Sequence, residues 1–205
     1  MMLEMSAENS IFAYMNKHLY IISGCNGAGK TTASYTVLPE ILRVDEFVNA
    51  DEIARGLSPF NPEGMAIEAG RLMLLRIDEL LRKGSDFAIE TTLATRSYAT
   101  LVHRAQGQGY IVHLVYFWLN SPRLAKERVA DRVSQGGHNI PADVIERRYT
   151  LGIRNLFGIF IPIVDEWMII DNSLLRQEMV AEGGMGKTIK VYDENKLTKI
   201  KEYGK

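Results

Sequence analysis

Eight consecutive residues, Gly24-Cys-Asn-Gly-Ala-Gly-Lys-Thr31, have the spacing GxxxxGK[ST], and the chemistry of that spacing is phosphate binding. Glycines let the backbone turn with several N–H groups aimed at one point. Lys30 reaches the β- and γ-phosphates of a nucleotide, and the Thr31 hydroxyl can ligate Mg²⁺. Two further polar groups stand where apolar runs stop, at Asn49-Ala-Asp51 and at Glu90-Thr-Thr92. A hydroxyl attacking a phosphate needs a carboxylate to orient it and accept its proton, and Asp51 is the candidate. An extended chain would send Asn49 and Asp51 to the same side; the competing reading makes Asp51 the cap of a helix over Glu52-Ile-Ala-Arg55. Glu90 is open to three roles: holding Mg²⁺ through water, binding an acceptor hydroxyl, or acting as the base. Its plain alternative is a solvent-exposed acid ending a strand.

A cationic group follows at Arg128, Arg132, Gly136-Gly-His138 and Arg147-Arg148. Arg128 and Arg132 share a helix face. The glycine pair ends that helix and another begins near Pro141. Two arginine-bearing helices joined by a turn describe a lid over about residues 132–148, which would bring guanidinium groups onto phosphate oxygens. Surface ion pairing with Glu127, Asp131 and Glu146 is the alternative. His138 would mark the lid turn. Arg55 and Arg71 either face the acceptor or are ordinary helix-surface charges.

The elements that must position these groups alternate along the chain. Leu19–Ile22 reads as a strand running into the glycine-rich turn, and Lys30–Leu38 is helix-compatible. That order places a helix N-terminus, with its dipole, behind the turn. Glu46–Asn49 is a short strand. A helix over Pro62–Lys83 is stopped by Gly84, with Ala66, Met73, Ile77, Leu80 and Leu81 on its apolar face. Phe87–Ile89, Tyr110–Leu119 and Trp167–Ile170 read as buried parallel strands. Together they predict one α/β domain over residues 1–205, a mostly parallel sheet between two helical layers, with ligands beyond the carboxyl ends of the strands. Met179-Val180 and Ile189–Tyr192, around Gly183-Gly-Met-Gly186, predict a C-terminal hairpin. Gly186-Lys-Thr188 lacks the leading glycine of a phosphate loop and reads as a turn.

The 205 residues are 46% hydrophobic and 24% charged with a net charge of −1, which suits a globular domain and gives no reason to expect nucleic acid as a partner. No apolar run is long enough for a membrane helix. Residues 1–9 lack the features of a signal peptide, and the single cysteine fits a reducing cytoplasm. That cysteine, Cys25, lies inside the phosphate loop, where it is either redox-sensitive or a small residue the loop tolerates.

In combination these segments resemble the zeta-toxin family of P-loop kinases, whose chromosomal relatives are often labelled ABC-type ATPases. The resemblance is carried by Gly24–Thr32, Val48–Arg55 with Leu57–Pro62, Ala88–Leu93, Arg132–Tyr149 and Asp171-Asn-Ser173, in the family's order over about three quarters of the chain. It implies a P-loop kinase-like fold with a helical lid. ATP would lie on Gly24, Asn26, Gly27, Ala28, Gly29, Lys30, Thr31 and Thr32, with Mg²⁺ on Thr31. It further implies Asp51 as base, an acceptor site including Asn49, Arg55, Glu90, Thr91 and Thr92, and a phosphate clamp of Arg132 with Arg147 or Arg148. Characterised members phosphorylate UDP-N-acetylglucosamine, and plasmid-borne members are held off by a small helical antitoxin. An ABC function is not expected, because Ser134-Gln-Gly-Gly-His138 does not reproduce the LSGGQ signature. A nucleotide-driven regulatory switch is the rival to a kinase.

Overall fold

The computed structural model describes residues 17–204 apart from 138 and 175; residues 1–16, and His138 as the expected marker of the lid turn, lie outside the described residues. Seven strands form one sheet in the order β2-β3-β1-β4-β5-β6-β7. They are β1 (Lys17–Gly24), β2 (Phe47–Val48), β3 (Phe87–Thr91), β4 (Tyr110–Trp118), β5 (Glu166–Asp171), β6 (Glu178–Gly184) and β7 (Lys187–Val191). The first five in the sheet pair in parallel, and β5-β6 and β6-β7 pair antiparallel. The helices are α1 (Lys30–Thr36), α2 (Ala50–Leu57), α3 (Ala66–Lys83), α4 (Tyr98–Gly107), α5 (Pro122–Ser134), α6 (Ala142–Asn155) and α7 (Glu194–Tyr203).

This order puts β1 at the centre, between β3 and β4. In register, Ile22 stands opposite Glu90 and Ser23 opposite Thr91, while Gly24 stands opposite Phe117. The phosphate loop and the Glu90 segment, far apart in sequence, therefore emerge side by side at the carboxyl edge. A β-carbon on Gly24 would lie 2.2 Å from the Phe117 carbonyl oxygen, and its φ is 136°, so only glycine allows this close strand contact.

The expected buried strand over 110–119 is buried along one face throughout, and on the other face only at Phe117 and Leu119. Tyr110, Val112, Leu114, Tyr116 and Trp118 are buried, whereas Ile111, His113 and Val115 are half-buried. On that second face His18 Nδ1 and His113 Nε2 are 2.9 Å apart, and the Tyr20 and His113 rings stack at 4.6 Å. The predicted helix over 62–83 opens with a 3₁₀ turn at Glu63–Met65 before α3 and closes at Gly84, whose φ is 69°. Met73, Ile77, Leu80 and Leu81 are buried as expected, but Ala66 is exposed and Ala69 takes its place. The first turn of α3 borders the cleft described below, so only from Ala69 onward does the i, i+4 stripe meet the core.

Helix α1 passes into a π-helical turn at Val37–Leu42. The C-terminal hairpin joins the sheet as β6 and β7 and turns at Met185-Gly186. Helix α7, absent from the sequence expectation, follows it. Its signal was Asp193, which caps it by accepting from Lys196 N at 2.9 Å, with Leu197 and Ile200 buried behind. Asp171, at the end of β5, pairs with Lys196 at 2.8 Å and accepts from Ser173 Oγ. Burial alone would raise the Asp171 carboxyl, but the Lys196 and Ser173 hydrogen bonds outweigh it and hold the group below its usual range. Among the described residues no helix is long and apolar enough to cross a membrane.

Candidate active site

The glycine-rich turn leaves β1 at Gly24, closes through Ala28 N donating to Cys25 O at 3.2 Å, and enters α1 at Lys30. Gly27 and Gly29 have φ of 78° and 80°, a left-handed backbone open to glycine at little cost. Their neighbours are close: a β-carbon on Gly27 would lie 2.8 Å from Ala125 O, and one on Gly29 would lie 2.5 Å from Asn172 Nδ2. Helix α5 and the segment after β5 thus press on the turn from outside. Asn172 Nδ2 also donates to Ala28 O at 2.8 Å. Sequence reasoning missed this role, and its only signal was a polar run ending β5. Cys25 is buried, and burial pushes its thiol up to about 11. Its burial suits the reading of a small residue that the loop tolerates.

Glu90 gathers the polar groups of three segments. Its Oε2 accepts from the Thr31 hydroxyl at 2.7 Å and from Asn49 Nδ2 at 2.9 Å, and its Oε1 lies 3.5 Å from Lys30 Nζ. The Glu90 side chain is 10% exposed and Lys30 6%, so this is not a solvated strand-end acid. Lys30 Nζ also donates to Cys25 O at 3.0 Å.

Asn49 has a second task. It is the N-cap of α2, with φ of −130° and its Oδ1 accepting from Asp51 N at 2.8 Å and Glu52 N at 3.4 Å. This corrects the idea of Asp51 as the cap, and the extended-chain alternation does not apply because α2 begins at Ala50. One asparagine therefore uses its carbonyl oxygen to start the helix carrying Asp51 and its amide to hold Glu90. Asp51, exposed in the first helical turn, faces a cleft of about 750 Å³ that Lys30, Asn49, Glu90, Thr91 and Thr92 also line.

The far walls of the cleft come from α3, with Ile67, Gly70, Arg71 and Leu74, and from α4, with Tyr98 and Leu101. Burial raises the Tyr98 hydroxyl, which donates to Met73 Sδ at 3.7 Å. Arg55 is exposed, lies 3.3 Å from Glu52 and is not among the cleft-lining residues. Arg71 lines the rim, 72% exposed and 3.7 Å from Glu68. Thr32 is exposed on α1 and is not among the cleft-lining residues.

Two helices joined through residues 135–141 form the arginine-bearing unit, with Gly136 at a φ of 84°. Its arginines diverge. Arg148 enters the cleft and donates from Nη1 to Asn26 Oδ1 at 3.2 Å, while Arg147 is exposed. Arg128 donates to Asn172 O at 2.8 Å and Ser173 O at 3.1 Å, tying α5 to the β5 end. Arg132 is half-buried at the end of α5, its carbonyl accepting from Gly137 N at 2.9 Å. The loop after β3 is held in an uncommon shape. Leu93 is fully buried with a φ of 55°, a conformation that costs a non-glycine residue about 1–2 kcal/mol. Its N–H donates to Thr91 Oγ1 at 3.1 Å and its carbonyl accepts from Asn155 Nδ2 at 2.7 Å. The cleft sets the glycine-rich turn and Lys30 beside carboxylates and a row of hydroxyls.

The family model described as Zeta toxin matches residues 6–159. An uncharacterized protein of Haemophilus influenzae is 30% identical over 139 residues, 68% of this chain and 96% of that protein. Among solved structures, AvrRxo1-ORF1:AvrRxo1-ORF2 with sulphate ions superposes with a TM-score of 0.73 at 17% identity over 95% of this chain. The chain spans 66% of that protein's length. The PezAT chromosomal toxin-antitoxin system of Streptococcus pneumoniae gives a TM-score of 0.62 at 18% identity, over 83% of this chain and 77% of the other. A gluconokinase from Sinorhizobium meliloti gives 0.50 at 14% identity, over 78% and 85%. The sheet of mostly parallel strands with helices around it is a P-loop kinase-like fold.

Proposed function

The chain belongs to the zeta toxin family, and from that premise we propose that it is an ATP-dependent kinase. It transfers the γ-phosphate of ATP to a hydroxyl of a small molecule, and a nucleotide sugar such as UDP-N-acetylglucosamine is the acceptor class the family favours. The observation that carries this reading is the junction at Glu90. One carboxylate holds Lys30 and Thr31 of the phosphate loop and, through Asn49, the helix that carries Asp51 into the same cleft.

The donor lies on the amides of Gly24–Thr31 with Lys30 against its phosphates, and Gly27 and Gly29 allow the left-handed backbone that this turn takes. The residues fit Mg²⁺: Thr31 supplies a hydroxyl and Glu90 a nearly buried carboxylate 2.7 Å from it. When bound there, the metal would supply charge neutralisation at the phosphate oxygens. Asp51 orients the acceptor hydroxyl and takes its proton as the new O–P bond forms. The bond from the γ-phosphorus to the bridging oxygen breaks, and ADP leaves. Arg148, joined by Arg132 on closure of the α5–α6 unit, stabilises charge on the phosphoryl oxygens. Thr91 and Thr92 bind the acceptor, with Arg55 at its outer reach. By likeness to the neighbour from a chromosomal toxin-antitoxin system and by the family resemblance, a small helical antitoxin is the partner this reading carries, with the cytoplasm as its setting.

The test is a panel of UDP-sugars and other hydroxyl acceptors incubated with ATP and Mg²⁺, read by phosphorus NMR and mass. We expect one acceptor to gain a phosphate and Asp51→Asn to lose at least ~10²-fold in transfer while ATP affinity holds. ATP turnover that no acceptor stimulates, unchanged in Asp51→Asn, would instead establish a regulatory NTPase.

A further inference from the structure

One face of α6 touches both halves of the cleft. Arg148, Gly152 and Asn155 stand at i, i+4 and i+7, which is one side of a helix. Arg148 donates to Asn26 in the phosphate loop at 3.2 Å. One turn on, a β-carbon on Gly152 would lie 2.6 Å from the Thr92 carbonyl oxygen, so helix and loop backbone are in direct contact. A turn further, Asn155, 3% exposed, donates to Leu93 O at 2.7 Å. Its partner is the buried leucine with a φ of 55°, which carries Thr91 and Thr92 just before it.

We infer that Asn155 is a positioning residue for the acceptor. By holding the Leu93 carbonyl it keeps the loop in its left-handed shape and sets Thr91 and Thr92 at a defined distance from the phosphate loop, which Arg148 contacts from the same helix. A leucine does not take this backbone shape by preference, so the shape must be imposed from outside. Asn155 and the close approach at Gly152 impose it. The role of this loop as acceptor site rests on the kinase reading; its restraint by α6 does not.

The two parts are tested separately. In the ligand-free protein, hydrogen exchange of the 91–97 segment is expected to quicken at least ~10-fold in Asn155→Ala, because the loop opens locally without global unfolding. Gly152→Ala, which favours the helix but thrusts a methyl at Thr92 O, is the second variant and should show the same signature. Tyr149→Phe removes another buried hydrogen bond of α6, the 2.6 Å contact to Leu119 O, away from the loop. It should lower the melting temperature and leave exchange at 91–97 unchanged. Equal exchange in all three variants overturns the restraint. With UDP-N-acetylglucosamine as acceptor, Asn155→Ala should raise the acceptor KM about 10-fold with the ATP KM within twofold. A parallel rise in both KM values overturns the positioning role. If the wild-type protein does not phosphorylate this acceptor, that acceptor assignment fails, while the exchange experiment still decides whether α6 holds the loop.

Discussion

Thr31 donates its hydroxyl to Glu90 Oε2 at 2.7 Å, so the helix after the phosphate loop and the end of β3 share one carboxylate. Because Lys30 lies 3.5 Å from the other oxygen, the charge of Glu90 balances a nearly buried ammonium, and its shape aligns two neighbouring segments. Glu90→Gln keeps the shape and removes the charge. It should cut phosphoryl transfer by at least ~10²-fold and lower stability through the lost counter-charge to Lys30. Glu90→Ala removes both and should also cost about 2 kcal/mol of unfolding free energy, since three polar groups lose their partner. Steady-state turnover and urea denaturation separate the two outcomes.

Arg147 and Arg148 are adjacent and chemically identical, yet only Arg148 lines the cleft. Arg148→Ala should lower kcat by roughly 10²-fold. Arg147→Ala should stay within about twofold, as surface charges usually do. Equal losses in the two variants would show that α6 presents a different face during turnover.

Cys25 is a prediction about reactivity. With its thiol buried and pushed up to about 11, iodoacetamide at neutral pH should label the folded protein on the order of 10²-fold more slowly than the unfolded chain. Cys25→Ala should leave ATP affinity unchanged. Rapid labelling of the folded protein with loss of nucleotide binding would reinstate a redox role.

The pH dependence of stability should carry a histidine signature. Burial holds the His113 imidazole below its ordinary value, with the Glu166 carboxylate 2.9 Å away opposing that and His18 adding to it. A folded-state value below the unfolded one means that the unfolded chain binds the proton first. The contribution is fully present above the ordinary value near 6.5 and is lost as pH falls toward the depressed folded value. Melting temperature should therefore decline between about pH 7 and pH 5, and His113→Gln should flatten that part of the curve. An unchanged slope in the variant would assign the effect to other groups.

Several of these features were legible without coordinates because their causes are local. Strand, glycine turn and helix N-terminus are contiguous, so Gly24–Thr31 could be recognised from spacing alone. The Pro141 start of α6 and the Gly84 stop of α3 are likewise matters of backbone conformation at single residues. Asp51 was singled out as the base, but its setting on α2 was not legible. Whether Asn49 or Asp51 caps α2 turns on where one helix begins, and Asn49 was chosen because its side chain serves both the cap and Glu90. Ala66 was misplaced because a 3₁₀ turn precedes α3 and its first turn borders the cleft. The choice between Arg147 and Arg148 rests on about 100° of helical phase, which depends on how α6 packs against Leu119 and Thr92.

The sequence by itself determined the groups available: a glycine-rich turn with phosphate-loop spacing, two carboxylates after apolar runs, and arginines on paired helices, each set by residues close together in the chain. The tertiary structure decided which of them meet. Only the β3-β1-β4 order brings Glu90 beside Lys30 and Thr31, and only the docking of α6 brings Arg148 to the glycine-rich turn and Asn155 to the loop after β3. Sheet order and helix docking arise from apolar surface buried between distant segments, a non-directional force spread over the whole core. No short stretch of sequence therefore contains them.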